Sequence, residues 1–219
     1  GGAVNRGLAV ASGSYLVFLN NDLYLRQDSI GELARLLDDD SAIGAAVPKI
    51  LYYEKRDTIN SFGVSISYSG VACPHLVNCR DSDALRQRET ACGGIFMFRR
   101  EAYAITGGFD ENLFLYHEDH DLSWQIRLLG KKIMVTPKAV IYHHYHFHKG
   151  SGKFHSSEKN RLHILLKNME WKTLCLVFPA LVVVEMTRSL PAMLAIISLI
   201  SGTAATTSPT ETACIHILC

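Results

Sequence analysis

Apolar and polar positions along the chain fall into blocks whose period changes several times. Residues 15–19, Tyr-Leu-Val-Phe-Leu, form a continuous apolar run between Gly13-Ser14 and Asn20-Asn21-Asp22. Such a run predicts a strand buried on both faces, as in a parallel sheet. Residues 5–11 before it predict a helix. Ser29-x-x-Glu32 reads as a capping box, and Ile30, Leu33, Ala34 and Leu37 follow at helical spacing. Asp38-Asp39-Asp40 closes that helix and reads as a solvated turn. Residues 43–47, stopped by Pro48, form the next strand. This alternation predicts an α/β domain with a mostly parallel sheet.

Residues 50–90 are more polar and less regular. Residues 61–69 alternate weakly, as strands do, and the charged stretch 81–89 reads as exposed. Such an insertion often forms a binding wall. Order returns at residues 92–100, a strand approached through glycines, followed by a short helix closed by Gly107-Gly108. A helix carrying Leu122, Ile126 and Leu129 ends at Gly130, beside Lys131-Lys132. Strands follow at 133–135 and 139–142, then a helix from about residue 157 to 167. Residues 174–184 and 190–200 are apolar, with Glu185-Met-Thr-Arg188-Ser between them and prolines at 179 and 191. A spanning helix needs ~20 mostly apolar residues. The interruptions favour two short helices lying in or dipping into a membrane surface over one clean span. The Thr/Ser/Ala-rich residues 201–219 read as a disordered tail.

Composition narrows this picture. The 219 residues are 48% hydrophobic and 20% charged, which excludes wholesale disorder. Basic and acidic side chains number 22 and 21, so the basic surplus of a nucleic-acid binder is missing. The six cysteines form no C-x-x-C pair and no regular framework. Reduced thiols in a cytosolic setting follow, and neither a zinc ribbon nor a disulfide scaffold is indicated. The chain opens Gly1-Gly2-Ala3 without Met, so a truncated start is expected.

Four segments can carry chemistry. Asn20-Asn21-Asp22 ends the first strand, where open α/β sheets bind ligands. A carboxylate there can hold Mg²⁺ or Mn²⁺ against phosphate oxygens, although the triplet is also ordinary turn chemistry. In Tyr116-His-Glu-Asp-His-Asp121 three carboxylates open a helix. They complement its dipole and cap it, or Asp119 points into a cleft as a general base. His143, His144, His146 and His148 follow a strand. A zinc site from them is one reading; a single histidine joining Asp22 on a divalent ion is more economical. Lys149-Gly-Ser-Gly-Lys153 is a flexible linker or a mobile loop that folds over phosphates, and it is not a P-loop.

In this order, the segments resemble the family 2 glycosyltransferases, especially the rhamnosyltransferase-like branch. The resemblance rests on Asn5-Arg-Gly7, Phe18-Leu-Asn-Asn-Asp22, Gly93-Gly with Arg99-Arg100-Glu101, Gly107-Gly-Phe-Asp-Glu111, Phe114-Leu-Tyr-x-Glu-Asp-x-Asp-Leu122 and Tyr142-His-His144. Lys159-Asn-Arg161 and Lys167-Asn168 are similar to the family's downstream helix. The match covers roughly residues 1–170. It implies a GT-A fold, a Rossmann-like and mostly parallel sheet lacking its first strands, with C-terminal helices. The domains expected are a partial catalytic domain over 1–170, apolar membrane-associated helices over 171–200 and the tail over 201–219.

The resemblance implies inverting transfer of a sugar from a nucleoside-diphosphate donor. Asp22 matches the metal-binding carboxylate, with Asn20 in place of the motif's first Asp, and His143 matches the metal-binding histidine. The cofactor is Mn²⁺ or Mg²⁺. Asp119 matches the catalytic base, with Glu118 beside it near the acceptor. Gly93, Gly94 and Asp110 border the acceptor pocket. Asn5, Asn20 and Asn21 approach the donor, and Lys149 and Lys153 are expected to close over its phosphates. The partners are a nucleotide sugar, a glycan or lipid-linked acceptor, and a membrane surface, with no nucleic acid. The expected location is cytoplasmic, peripheral or integral at the inner face of the cell membrane. Rhamnose is favoured by branch similarity alone. A processive synthase is disfavoured because Gln125 is followed by Ile-Arg-Leu and the Q-x-x-R-W signature is absent. The non-enzymatic alternative is a truncated, inactive glycan- or nucleotide-sugar-binding protein.

Overall fold

The structure is a computed structural model that describes the backbone of residues 1–144 and 151–201, and the side chains of 1–144 and 155–187. The chain divides into two units, Gly1–Asn168 and Met169–Cys219. Within the first, α1 (Gly2–Val10) precedes β1 (Tyr15–Phe18), β2 (Leu23–Leu25), α2 (Ser29–Asp39) and β3 (Ile43–Tyr52). The polar insertion contributes β4 (Ile59–Ser61), β5 (Val64–Ile66), β6 (Ala72–Pro74) and β7 (Arg88–Glu89). Next come β8 (Phe96–Arg99), α3 (Arg100–Thr106), α4 (Glu118–Leu128), β9 (Lys132–His143) and α5 (Ser151–Asn168).

The main sheet has the path β1-β8-β3-β9-β2, with β4 on β3 and β7 on β9. Its central ladder, β3 against β9, is parallel. β8 runs antiparallel to both β1 and β3, so β1, β3 and β9 share one direction while β8 and β2 run counter to it. The expected α/β class with a parallel centre is therefore present. Most of the hydrogen-bonded neighbours, however, are antiparallel. The apolar run of β8 marks a buried strand but carries no sign of its direction.

β3 is buried along nearly its whole length, as a strand covered on both faces must be. Leu33 and Leu37 of α2 pack with Ile43, Ala46 and Met97 on one face. Leu122 and Ile126 of α4 pack with Val47, Phe96, Phe98, Ile133 and Val135 on the other. The result is a three-layer domain.

Three local expectations change. Ser29 does not cap α2: Asp28 stands at the N-cap with φ 68° and no side-chain cap. Ser29 is instead buried, its hydroxyl donating to Val140 O at 2.6 Å and accepting from Val140 N at 3.2 Å. The strands expected at 133–135 and 139–142 are one strand, β9. The register passes from Pro48↔Thr136 to Lys49↔Val140, so an irregularity absorbs residues 137–139, among them Pro137, which has no N–H for a ladder. Lastly, the two apolar stretches of the second unit form one helix, α6 (Trp171–Ser201), not two. The helix runs unbroken through Pro179 and Pro191. Among the described residues no helix is long and apolar enough to cross a membrane. The tail expected at 201–219 lies outside the described residues from 202 onward.

Candidate active site

Two strand ends and one helix start build the site. After β1, residues Asn20, Asn21 and Asp22 form an exposed turn leading into β2. β2 pairs with the end of β9, setting Leu23 opposite His143, and His144 N donates to Asp22 O at 3.0 Å. His143 Nε2 thereby lies 3.2 Å from Asp22 Oδ2. On the other side of the ring, His143 Nδ1 lies 3.1 Å from Asn60 Oδ1, on β4. An amide oxygen only accepts, so this contact puts the proton on Nδ1. In the neutral ring the Nε2 lone pair then faces a carboxylate oxygen. Two acceptors at that separation suit a shared cation: ligands bonded at about 2.1 Å in octahedral geometry sit ~3 Å apart. The pair thus fits a divalent ion that takes its remaining ligands from elsewhere. Among the described residues no group of three or more His, Cys, Asp or Glu side chains could hold a metal alone. Asn60 was invisible in the sequence because it lies 83 positions from His143.

Asp119 is the second residue of α4. Its Oδ2 accepts from Gly94 N at 2.6 Å and its Oδ1 from His120 N at 2.8 Å. Ser123 Oγ donates to Asp119 O and accepts from Cys92 N, stitching α4 to the approach of β8. The Cys92 thiol beneath is pushed up to about 12 by burial and is inert. Gly94 has φ 72°, and a Cβ there would stand 3.9 Å from Asn20 Nδ2. Asn20, Gly94 and Asp119 are thus brought together. Gly93 has a different reason to be glycine: a Cβ would stand 2.7 Å from Val64 Cγ2.

Glu118 is half-buried, and its Oε2 has no hydrogen-bond partner among the described residues. Burial, then the Asp119 charge, pushes its carboxyl above the usual carboxylate range. His117, also buried, places Nδ1 3.0 Å from His120 Nδ1 and Nε2 3.1 Å from Ser157 Oγ. His120 Nε2 lies 3.7 Å from Asp119 Oδ1.

Other expected residues have structural partners. The Asn5 amide donates to Phe109 O at 2.8 Å and accepts from Phe109 N at 3.0 Å, stapling α1 to the Gly107–Glu111 loop. Asp110 Oδ2 accepts from Lys167 Nζ at 2.8 Å, and Lys167 also reaches Asp121 Oδ2 at 2.8 Å. Asp121 is fully buried and further accepts from Asn168 and Gln125. Burial raises Asp110, but the Lys167 and Asn112 hydrogen bonds more than offset it and hold the carboxyl well below its usual range. Lys149 lies outside the described residues, as do His146, His148 and the side chain of Lys153.

The three-layer α/β fold is of the GT-A type found in glycosyltransferases. Residues 1–106 match the model of glycosyl transferase family 2. Residues 75–149 match a second model, described as the N-terminal domain of galactosyltransferase. An O-antigen biosynthesis protein, RfbC, of Myxococcus xanthus is 26% identical over 144 residues, 61% of this chain and 11% of that protein. An N-acetylglucosaminyl-diphospho-decaprenol L-rhamnosyltransferase of Mycobacterium tuberculosis is 38% identical over 52 residues, 24% of this chain and 17% of that protein. The chain thus spans less than a fifth of the length of these curated relatives. Among solved structures, GalNAc-T7 with UDP, GalNAc and Mn²⁺ superposes with a TM-score of 0.56 at 20% identity, covering 69% of this chain and 31% of that one. A Pyrobaculum calidifontis mannosyltransferase in complex with GDP-Man and Mn²⁺ superposes with a TM-score of 0.53 at 15% identity, covering 95% and 55%. At those identities the likeness speaks for the fold.

Proposed function

We propose that the chain catalyses metal-dependent, inverting transfer of a sugar from a nucleoside-diphosphate donor to a glycan or lipid-linked acceptor in cell-surface polysaccharide assembly. The observation that carries this reading is Asp119, held by the Gly94 amide beside Asn20. Asp22 and His143 would hold Mn²⁺ or Mg²⁺, supported by their 3.2 Å approach and by the Asn60 contact that fixes the ring. Such an ion, when bound, neutralises charge on the departing diphosphate.

The chain's own residues do the rest. Asp119 takes the proton of the acceptor hydroxyl as its oxygen bonds the anomeric carbon and the bond to the diphosphate breaks on the opposite face. Backbone amides fix both carboxylate oxygens, so the base meets the hydroxyl without reorganising. Asn20 and Asn21 contact the donor, with Lys149 and Lys153 closing over its phosphates and Asn5 shaping the approach. Gly93, Gly94, Asp110 and Glu118 border the acceptor. Rhamnose is the donor sugar we favour, from the motif similarity and the name of the mycobacterial relative. The exposed Leu176, Phe178, Val183 and Met186 of α6 support membrane association at the cytoplasmic face.

A panel of nucleotide sugars with Mn²⁺ tests this reading. Transfer by the parent is expected, with kcat lowered ~10²–10⁴-fold in Asp119→Asn while donor binding persists. Nucleotide-sugar binding without turnover by the parent would instead make the chain a binding protein.

A further inference from the structure

The bend ahead of Asp119 is strained. Tyr116 and His117 have φ 72° and 69°, consecutive left-handed residues that both carry a Cβ. Such conformations persist only where the surroundings enforce them. Helix α5 does the enforcing. Asn160, buried to 3% exposure, donates from Nδ2 to Leu115 O and to Tyr116 O, each at 2.9 Å. One side-chain amide thus uses both its hydrogens on consecutive carbonyls of the bend. One turn earlier, Ser157 meets the His117 ring at 3.1 Å.

The helix is itself anchored apart from this grip. Arg161, 1% exposed, donates to Ser69 O outside the helix and is braced within it by Glu158 Oε2 at 3.0 Å. Lys167 and Asn168 hold Asp110 and Asp121. Asn160 is therefore a fixed point pressing on a bend that would otherwise relax. The α4 helix starts one residue past His117, and Asp119 follows directly.

We propose that Asn160 is a positioning residue for transfer: it holds the left-handed Tyr116–His117 bend and so fixes where Asp119 stands. The proposal rests on the reading of Asp119 as the base. An ordinary buried asparagine, needed only to satisfy its own polar atoms, would behave differently in the following experiment.

Asn160→Ala and Asn160→Asp both remove the donors, and the second keeps the size and shape. In either folded variant, amide exchange over residues 114–119 should rise about tenfold while that of residues 122–128 holds. The kcat for transfer should fall by ~10–100-fold, the effect of slight misplacement of a reacting group. Donor KM should stay within about twofold, because the Asp22–His143 end is untouched. Adding Tyr116→Gly should restore much of the lost kcat and protection, since glycine takes positive φ freely. Unchanged exchange over 114–119, or a loss that Tyr116→Gly does not relieve, would overturn the proposal. A parent that transfers no sugar overturns the transferase reading instead, and the exchange data then decide the clamp by themselves.

Discussion

His143 Nε2 lies 3.2 Å from Asp22 Oδ2 although the two residues are 121 positions apart. Antiparallel pairing of β2 with the end of β9 brings them together, and Asn60 orients the ring from β4. A ligand histidine depends on the group that holds its other nitrogen, and loss of that group typically costs 10–100-fold in metal affinity. Asn60→Ala should therefore weaken Mn²⁺ binding by about that factor in the presence of a nucleoside diphosphate. Electron paramagnetic resonance of free Mn²⁺ reads this directly. Affinity equal to the parent's would remove Asn60 from the proposed metal site.

At α2, Ser29 serves β9. Its hydroxyl both donates to and accepts from the Val140 backbone. Ser29→Ala takes the hydroxyl from the buried Val140 N–H, while Val140 O keeps Arg26 N, and should cost about 1–2 kcal/mol. Asp28, left-handed at φ 68° with no side-chain cap, should gain from glycine. Asp28→Gly is expected to be neutral or stabilising by about 0.5 kcal/mol. Urea unfolding of both variants checks the pair. A large loss in Asp28→Gly would show that the aspartate caps after all.

These contacts explain what was legible in the sequence. Helical spacing found α2 and α4, and apolar runs found β1 and β3, although β3 continues through Pro48 to Tyr52 and β1, at the sheet edge, fully buries Leu16 alone. The antiparallel sense of β8 and the continuity of β9 through Pro137 depend on neighbouring strands, which no local window contains. The same holds at the site. Asp22, Asp119 and His143 stand in motifs, whereas Asn60, Asn160 and Lys167 act across 83, 44 and 57 positions and carry no local pattern. Asn5 belonged to a recognised phrase, yet its amide staples the Phe109 backbone.

Glu118 should limit stability. Its carboxyl is raised by burial and by Asp119, and Oε2 has no partner among the described residues. A raised acid favours the protonated form in the folded state, so folding loses free energy as pH climbs from the unfolded pKa through the folded one. Glu118→Gln should stabilise the chain at pH 7 by on the order of 1 kcal/mol. The gain should vanish below the unfolded pKa, about 4.3. Thermal unfolding at pH 7 and pH 4 makes the comparison. Falling transfer in the stabilised variant would mark the carboxylate as held for acceptor contact.

The Lys167 clasp has the opposite sign at both ends. Asp110 is net lowered, so its contribution is present above the unfolded pKa near 3.9 and is lost as pH falls through the folded value. Burial lowers Lys167, but hydrogen bonds to Asp110 and Asp121 raise it further, to a net value above the ordinary one. Its contribution is complete below the unfolded pKa near 10.4 and is lost as pH rises through the folded value. The clasp is therefore at full strength between about pH 4 and pH 10. Lys167→Met strands Asp121, which is fully buried, without its cation. Breaking a buried pair in this way costs ~3–5 kcal/mol, and a lysine one-third exposed places the expected loss near 3 kcal/mol. Lys167→Met, Asp121→Asn should recover part of that loss, because the amide needs no cation: its oxygen accepts from Asn168 and its NH2 can donate to Gln125 once that side-chain amide turns over. A double variant no more stable than the single one would show that the carboxylate charge is not what the clasp holds. Because the clasp and the Asn160 grip use the same helix, loss of Lys167 should also loosen residues 114–119 in amide exchange. Exchange confined to residues 163–168 would show that Asn160 and Arg161 hold α5 on their own.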